Sequence, residues 1–113
     1  MSLDALVHGA STFGLRLTTA QLERFERYRE LLLDWNARLN LTAITAPAEV
    51  ERLHFLDSLA CLLAPLPTGA TLLDVGAGAG FPGLPLKIAR PDLQLTLLEA
   101  TAKKAAFLAA VVA

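Results

Sequence analysis

The stretch that decides the fold runs from residue 72 to residue 83 and reads Leu-Leu-Asp-Val-Gly-Ala-Gly-Ala-Gly-Phe-Pro-Gly. A short apolar run ends at Asp74, and three glycines follow at alternate positions, Gly76, Gly78 and Gly80. Because glycine has no Cβ, a loop of this kind lets a ligand approach the main chain closely. If a helix follows, its free N–H groups face the same crevice. The stretch therefore predicts a nucleotide-like cofactor at a strand-to-helix turn.

Two classes of cofactor fit this loop. The segment from Gly78 to Gly83 matches G-x-G-x-x-G, the dinucleotide fingerprint, and would indicate an NAD-binding oxidoreductase. Starting at Asp74 gives D-x-G-x-G-x-G instead, the motif of class I methyltransferases that use S-adenosylmethionine (SAM). A carboxylate at the mouth of the turn repels a pyrophosphate, whereas SAM carries a sulfonium and an ammonium group. The position of Asp74 therefore favours SAM over NAD.

An acidic residue supports a nucleoside in either case. Glu99 ends the next apolar run, residues 95–98. It follows the glycine motif at about the 20-residue distance at which an acid is expected to bind ribose hydroxyls. We therefore expect Glu99 to lie at the mouth of the same crevice.

The bulk composition limits the classes of function. With 113 residues the chain suffices for one small domain, and its net charge of −1 offers no basic surface for nucleic acid. The single cysteine, Cys61, excludes an internal disulfide and fits a reducing compartment, and its leucine neighbours predict that it is buried. No stretch resembles a signal peptide or a membrane helix. We expect a cytoplasmic protein without a membrane partner.

The last nine residues are unusually apolar. Phe107, Leu108, Val111 and Val112 recur at helical spacing, and no polar cap follows them. We expect the chain to be a fragment of a longer protein, and a non-catalytic fragment is an alternative to an active enzyme. The expected sheet would be too small to cover these side chains, so a marginal and self-associating fold is predicted.

Two helices are predicted before the glycine motif. Thr18-x-x-Gln21 is a capping box and opens a helix over residues 18–38. Its predicted inward stripe is Leu22, Phe25, Leu32, Trp35 and Leu39, and its Glu/Arg pairs are expected to form a solvated face. Pro47 suits the first turn of a second helix over residues 47–63. The inward residues predicted there are Val50, Leu53, Leu56, Ala60 and Leu63.

The second half of the chain alternates between strand and helix. The predicted elements are a strand over 71–75, a helix over 82–90 that starts at Pro82 and ends at Arg90-Pro91, a strand over 94–98 and a helix from 101 onward. Together they predict an α/β fold in which N-terminal helices precede the first β-α-β-α unit of an incomplete, doubly wound sheet. We divide the chain into an N-terminal helical segment, residues 1–66, and a partial cofactor-binding domain, residues 67–113.

Three polar groups outside the loop each allow a structural and a functional interpretation. Asn36, Asn40, Leu41 and Thr42 are expected to end the first helix by turn chemistry, or else to border the cofactor cleft. His54, Asp57 and Ser58 are expected to form a polar network that joins their helix to the sheet, since one helix rarely builds a catalytic triad and metal binding needs more ligands. Lys103 and Lys104 would open a solvated helix or contact RNA phosphate.

These pieces occur in an order that resembles one family. The order is Trp35-Asn36 with Asn40-Leu41-Thr42, His54-x-x-Asp57-Ser58, the motif from Asp74 to Gly83, Leu97-Leu98-Glu99, and Lys103-Lys104-x-x-Phe107-Leu108. It resembles the N-terminal half of the bacterial small-subunit ribosomal RNA methyltransferase G family, also called glucose-inhibited division protein B. The resemblance covers about residues 15–113.

The resemblance implies a fold, a reaction and a set of cofactor residues. The family has a Rossmann-like class I sheet and transfers a methyl group from SAM to N7 of a guanine in 16S rRNA, so the implied partner is the small ribosomal subunit and not DNA. Gly76 and Phe81 match cofactor positions of the family, and Asp74, Gly78 and Glu99 match the general class I pattern. Many relatives carry Asp where this chain has Glu99. Catalytic residues are expected beyond Ala113 and stay unknown, and no metal is implied.

Overall fold

The computed structural model describes residues 3–112. From residue 18 onward its elements follow the predicted order, and one helix that was not predicted precedes them. The elements are α1 (Asp4–Thr12), α2 (Thr19–Asn36), the helical segment α3 (residues 47–63), β1 (Thr71–Val75), α4 (Gly83–Ala89), β2 (Gln94–Leu98) and α5 (Ala102–Val112). The expected α/β class is confirmed, because β1 and β2 form a two-stranded parallel sheet. Their register pairs Thr71 with Gln94 and Val75 with Leu98.

Helix α2 begins where the capping box predicts. The Thr18 N–H donates to Gln21 Oε1 at 2.8 Å, and the Gln21 N–H donates to Thr18 Oγ1 at 3.1 Å. The Gln21 side chain also donates to the carbonyls of Ile88 and Ala89, at 3.1 and 3.2 Å. One residue therefore both caps α2 and ties its start to the end of α4.

Helix α3 changes its width along its length. It opens with one α-helical turn at Pro47, widens to a π-helix over Val50–Leu56, and tightens to a 3-10 turn over Ala60–Leu63. The fully buried apolar residues are Val50, Phe55 and Leu59, spaced by five and then four residues.

The changing width overturns part of the predicted burial in α3. Leu53 and Leu63, expected to face inward, are exposed, and Cys61, expected in the core, is exposed as well. The prediction assumed 3.6 residues per turn throughout. In the π segment the i→i+5 bonding gives more residues per turn, so the side of the helix that faces the core does not carry the residues predicted from the regular period. In the tight last turn only Leu62 still packs partly against the core.

The predicted solvated face of α2 is interrupted by a buried charge. Arg29 and Glu51 are almost fully buried, and Arg29 Nη2 donates to both oxygens of Glu26 at 3.0 and 3.1 Å. Arg29 Nη1 lies 4.0 Å from Glu51 Oε1, and Glu51 Oε2 accepts from the Leu6 N–H at 2.9 Å. The expectation of a solvated face was therefore wrong at Glu26 and Arg29, because α1 and α3 pack over this side of α2.

The core is shared between the N-terminal helices and the strand-helix region. Phe107 and Leu108 are buried, contrary to the expectation that α5 lacks cover, because α2 packs against it: the Trp35 and Phe107 ring centroids lie 5.7 Å apart. Val112 is exposed, as expected. One hydrophobic cluster contains residues of both segments. The domain boundary at residue 66 stays a prediction.

Candidate cofactor site

The glycine loop begins where β1 ends and stays attached to β2. The N–H groups of Gly76 and Ala77 both donate to the Leu98 carbonyl, at 2.8 and 3.1 Å. Gly76 has a φ of 67°, a left-handed conformation that favours glycine. A Cβ built on Gly76 would meet no atom within 4 Å. This edge of the loop is therefore open, and a ligand can reach its main chain.

The opposite end of the loop is closed by packing. Gly80 has a φ of 98°, and a Cβ there would lie 2.5 Å from Leu84 Cδ1 and 2.6 Å from the Tyr28 hydroxyl. The Gly80 N–H donates to the Ala77 carbonyl at 2.7 Å, and the Leu84 N–H donates to the Gly80 carbonyl at 2.8 Å. Glycine is thus required at position 80 by the protein itself, and no ligand is needed to explain it.

Asp74 joins the strand to the helix beyond the loop. It is half-buried, and its Oδ2 accepts from the Gly83 N–H at 3.1 Å. A Cβ at Gly83 would lie 2.8 Å from the same oxygen, so the helix approaches the strand closely because residue 83 is glycine. The carboxylate predicted to face a cationic cofactor therefore also fixes the start of α4.

Glu99 and Gly78 are brought together, as their predicted roles require. Glu99 Oε1 accepts from the Gly78 N–H at 2.7 Å, and Oε2 accepts from the Thr101 N–H at 2.9 Å. Both bonds hold the pKa of Glu99 below its usual range, and the bond from Thr101 has the larger effect. The positive charge of Lys104 lowers this pKa by a smaller amount. Glu99 is therefore ionised at neutral pH and lies against the glycine loop.

Phe81 lies under an imidazole ring. The His54 and Phe81 ring centroids are 4.2 Å apart and their planes are inclined by 11°. His54 Nε2 lies 2.8 Å from Thr42 Oγ1, which also accepts from the Ile44 N–H at 3.1 Å. Burial lowers the pKa of His54, and the charge of Asp57 opposes this effect. The neutral ring is therefore favoured.

The predicted turn chemistry at the end of α2 is confirmed for Asn36. Its Oδ1 accepts from the N–H groups of Leu41 and Thr42, both at 2.9 Å. This turn places Thr42 against His54, and His54 against the glycine loop. The turn therefore has a structural role and also reaches the site through one further side chain, His54.

The expected network of His54, Asp57 and Ser58 takes another form. His54 contacts Thr42 and Phe81, Ser58 is buried, and Asp57 is exposed. The helix is therefore joined to the glycine loop and to the turn after α2. The interaction described between Asp57 and His54 is electrostatic: the negative charge of Asp57 opposes the lowering of the His54 pKa by burial.

Tyr28 is the residue of this site that the sequence interpretation missed. It is buried, and its hydroxyl donates to the Ala79 carbonyl inside the glycine loop. Its ring lies 5.6 Å from that of Phe81 and 5.4 Å from that of Phe55. The available signal was its position three residues after Phe25, on the predicted inward stripe, where a buried tyrosine needs a partner for its hydroxyl.

A groove of about 670 Å³ between α2, α4 and α5 borders this site, since Tyr28 lines it. It also includes Arg24, Arg27 and Lys87, and none of the five predicted cofactor residues. Lys87 is already used there, since its ammonium donates to the Pro91 and Leu93 carbonyls at 2.6 Å each. Within residues 3–112, no three His, Cys, Asp or Glu side chains are grouped so that they could hold a metal ion.

None of the helices described between residues 3 and 112 is both long and apolar enough to cross a bilayer.

Comparison with known proteins identifies the same family as the motifs. Residues 21–113 match the sequence model of the GidB family, described as rRNA small subunit methyltransferase G. A ribosomal RNA small subunit methyltransferase G of Roseiflexus castenholzii is 52% identical over 111 residues, which cover 98% of this chain and 47% of the relative. Proteins of the same name from Dehalococcoides mccartyi and Myxococcus xanthus are 55% and 54% identical and are covered over 45% and 50% of their length. The chain thus spans about half the length of the curated relatives it matches.

Proposed function

The chain belongs to the rRNA small subunit methyltransferase G family, and on that premise we propose that it binds SAM at its glycine loop. The reaction that this site would serve is methylation of N7 of a guanine in 16S rRNA, on the small ribosomal subunit and in the cytoplasm. The β1–β2 pair is then the first part of a Rossmann-like class I sheet.

One observation carries the cofactor proposal. An ionised carboxylate, Glu99, touches the glycine loop at Gly78, two residues from the open edge at Gly76. Each carboxylate oxygen has a second lone pair, so Glu99 can keep its main-chain bonds and still accept ribose hydroxyls. The residues present thus fit a nucleoside whose sugar faces Glu99 and whose remainder lies along the main chain at Gly76.

The other three predicted residues have separate tasks in this arrangement. Asp74 lies at the start of the loop, where its negative charge favours the sulfonium and ammonium groups of SAM. Phe81 offers an apolar ring on the loop, supported from behind by His54 and Tyr28. Gly78 supplies the N–H that positions Glu99. Binding and orientation of the cofactor are therefore the tasks assigned to this part of the protein.

The proposed reaction suits a site without an acid–base pair. SAM supplies the methyl group, and N7 of guanine carries an in-plane lone pair and no proton, so its attack needs no general base. Alignment of the reacting atoms, together with stabilisation of the shifting positive charge, can supply most of the rate. N7 faces the deep major groove of A-form RNA, so the target base should lie in a loop or be turned out of its stack.

The alternative of an NAD-binding oxidoreductase is not favoured. The relatives are named as methyltransferases. In addition, the Asp74 carboxylate lies at the start of the loop, where it would repel the pyrophosphate of a dinucleotide.

Calorimetric titration of the protein with SAM and, separately, with NAD tests the proposal. We expect heat of binding with SAM only, and Gly76→Val should abolish it because the valine side chain fills the open edge of the loop. Tight binding of NAD with no binding of SAM would contradict the proposal. Transfer of a radiolabelled methyl group to 16S rRNA then tests the reaction itself.

A further inference from the structure

Two N-terminal helices touch the glycine loop on the side away from its open edge. Tyr28 of α2 donates its hydroxyl to the Ala79 carbonyl, and His54 of α3 covers the ring of Phe81. Both tyrosine and carbonyl are buried, since Tyr28 is 1% exposed and Ala79 is 7% exposed. A buried carbonyl that lost its donor would stay unsatisfied, so the contact resists opening of the loop.

The loop has reason to need such an anchor. Three of its residues, Gly76, Gly78 and Gly80, have positive φ, and glycine loses more conformational freedom than any other residue when it is ordered. A ligand that had to order the loop would bind more weakly by that cost. Anchoring the loop within the protein removes the cost before the ligand arrives.

We propose that Tyr28 is a positioning residue of the cofactor site. Its hydroxyl holds the Ala77–Gly80 turn in the conformation that leaves the Gly76 edge open. The hydroxyl acts together with the His54 ring, which holds Phe81. The N-terminal helices are then part of the cofactor-binding machinery, and this inference rests on the proposed function in that the ligand is taken to be SAM.

The chemistry of Tyr28 suits a permanent donor. Burial, and to a smaller extent the charge of Asp74, raises the pKa of Tyr28 well above its usual value. The phenol therefore keeps its proton at physiological pH, and the Ala79 carbonyl keeps its partner. Gly80 makes the contact possible, since any Cβ at that position would lie 2.6 Å from the phenol oxygen.

The decisive variant is Tyr28→Phe, which removes one oxygen and keeps the ring. In the ligand-free protein we expect faster amide exchange at Gly78 and Gly80, whose N–H groups donate to Glu99 and Ala77 inside the folded loop. Exchange in β1 and β2 should change less. We expect the affinity for SAM to fall about tenfold, the order of effect of one unsatisfied buried group.

A matched control separates positioning from general destabilisation. Phe25 lies one turn earlier on α2, is buried against Phe55 with ring centroids 5.0 Å apart, and has no described contact with the loop. Phe25→Leu should lower the melting temperature at least as much as Tyr28→Phe and leave loop exchange and SAM affinity near wild type. Equal loop exchange and equal loss of affinity in the two variants would overturn the proposal.

The outcomes distinguish this inference from the proposed function. If wild type binds SAM and Tyr28→Phe binds it equally well with unchanged loop exchange, Tyr28 has no positioning role. If wild type does not bind SAM, the proposed function fails, and amide exchange at Gly78 and Gly80 still decides whether Tyr28 anchors the loop.

A second pair of variants tests the other contact. His54→Ala removes the ring that covers Phe81, and His54→Phe keeps a stacked ring without the bond to Thr42. We expect His54→Ala to weaken SAM binding and His54→Phe to restore most of it. If both variants bind equally weakly, stacking on Phe81 is not the cause and the His54 part of the proposal is wrong.

Discussion

At the scale of single residues, the site depends on main-chain groups as much as on side chains. Glu99 accepts two main-chain N–H bonds, and Asp74 accepts one. Both carboxylates were predicted as contacts to a cofactor, and both also order the loop that would receive it. Their substitution therefore has two effects, on the empty loop and on the ligand, which experiments must separate.

Glu99→Ala is expected to weaken SAM binding, because the ribose hydroxyls lose a charged acceptor. The matched variant Glu99→Gln keeps an acceptor for Gly78 and loses the charge, so we expect a smaller loss. Calorimetry gives the two affinities, and thermal melting gives the two stabilities. If Glu99→Ala lowered stability while the affinity stayed unchanged, Glu99 would be structural only.

The pH dependence of Glu99 follows from its lowered pKa. The unfolded chain takes up a proton near the ordinary glutamate value of about 4.3, before the folded protein does. The stabilising contribution is thus fully present above that pH and is lost as the pH falls through the lowered native pKa. Melting temperature measured against pH should fall less steeply in this acidic range for Glu99→Gln than for wild type. Parallel curves for the two proteins would show that the ionisation of Glu99 is not coupled to folding.

The two ends of the loop should respond differently to alanine. Gly76→Ala and Gly80→Ala share the strain of a left-handed residue, about 1–2 kcal/mol. Gly80→Ala additionally forces apart Tyr28 and Leu84, for which overpacking typically costs about 1–3 kcal/mol. We expect Gly80→Ala to be the less stable protein by chemical denaturation. The reverse order would mean that the Gly76 edge is not open.

At the scale of elements, charges buried among α1, α2 and α3 fix how the helices pack. Glu51 accepts from the Leu6 N–H of α1 and lies 4.0 Å from Arg29 of α2, which Glu26 also binds. Arg29 Nη1 further donates to the Pro47 carbonyl at 3.3 Å, at the start of α3. One guanidinium thus sets α3 against α2, and α3 carries the His54 that covers Phe81.

Glu51→Leu is expected to destabilise the fold by about 3–5 kcal/mol, the range for removing one partner of a buried ion pair. The exposed pair of Arg38 and Asp34, 3.4 Å apart, is a matched control. Asp34→Ala should cost no more than about 1 kcal/mol. Urea denaturation of the two variants measures both effects. Equal stabilities would show that the Glu51 carboxylate does not hold the helices together.

At the scale of the whole molecule, the helical segment and the strand-helix segment depend on one core. Phe107 of α5 packs on Tyr28 and Trp35 of α2, and the rings of Phe25, Phe55 and Phe81 continue the same cluster. The sheet contributes little of this core, because each strand alternates between exposed and half-buried residues.

Phe107→Ala should destabilise the whole molecule by about 3–5 kcal/mol, the usual cost of removing a buried aromatic ring. Because the core is shared, we expect one cooperative melting transition, with loss of helix and of loop protection at the same temperature. Circular dichroism and amide exchange report the two events. Loss of structure in α5 alone, with α2 unaffected, would contradict a shared core.

The exposed face of the sheet makes self-association of this 113-residue chain a further expectation. Leu73, Val75 and Leu98 are 61%, 69% and 50% exposed, and exposed apolar patches favour association. Replacing Leu73 and Val75 together by threonine, which keeps β propensity, should reduce association in sedimentation experiments. Val112→Thr, at a similarly exposed helix position, is the control and should change it less. If the wild-type chain is monomeric in sedimentation, the expected self-association is wrong.

The sequence by itself determined the order of the elements after α1, the parallel pair of strands and the position of the glycine loop. These depend on local signals, namely the capping box at Thr18, proline at helix starts, and apolar runs that end in glycine or an acid. The pairing of Glu99 with the loop was also predictable, because the carboxyl ends of neighbouring parallel strands meet at one edge of a sheet. Burial along α2 followed from its regular period except at Glu26, Tyr28 and Arg29.

Only the tertiary structure decided which side chains support the loop. The width of α3 depends on its packing, so the exposure of Leu53, Leu63 and Cys61 could not be obtained from a regular helical period. The contact from Tyr28 to Ala79 joins residues 51 positions apart, and the buried bond from Leu6 to Glu51 joins residues 45 apart. Hydrogen bonds between residues so far apart in the sequence produce no periodic pattern, because they depend on how the helices pack together after they have formed.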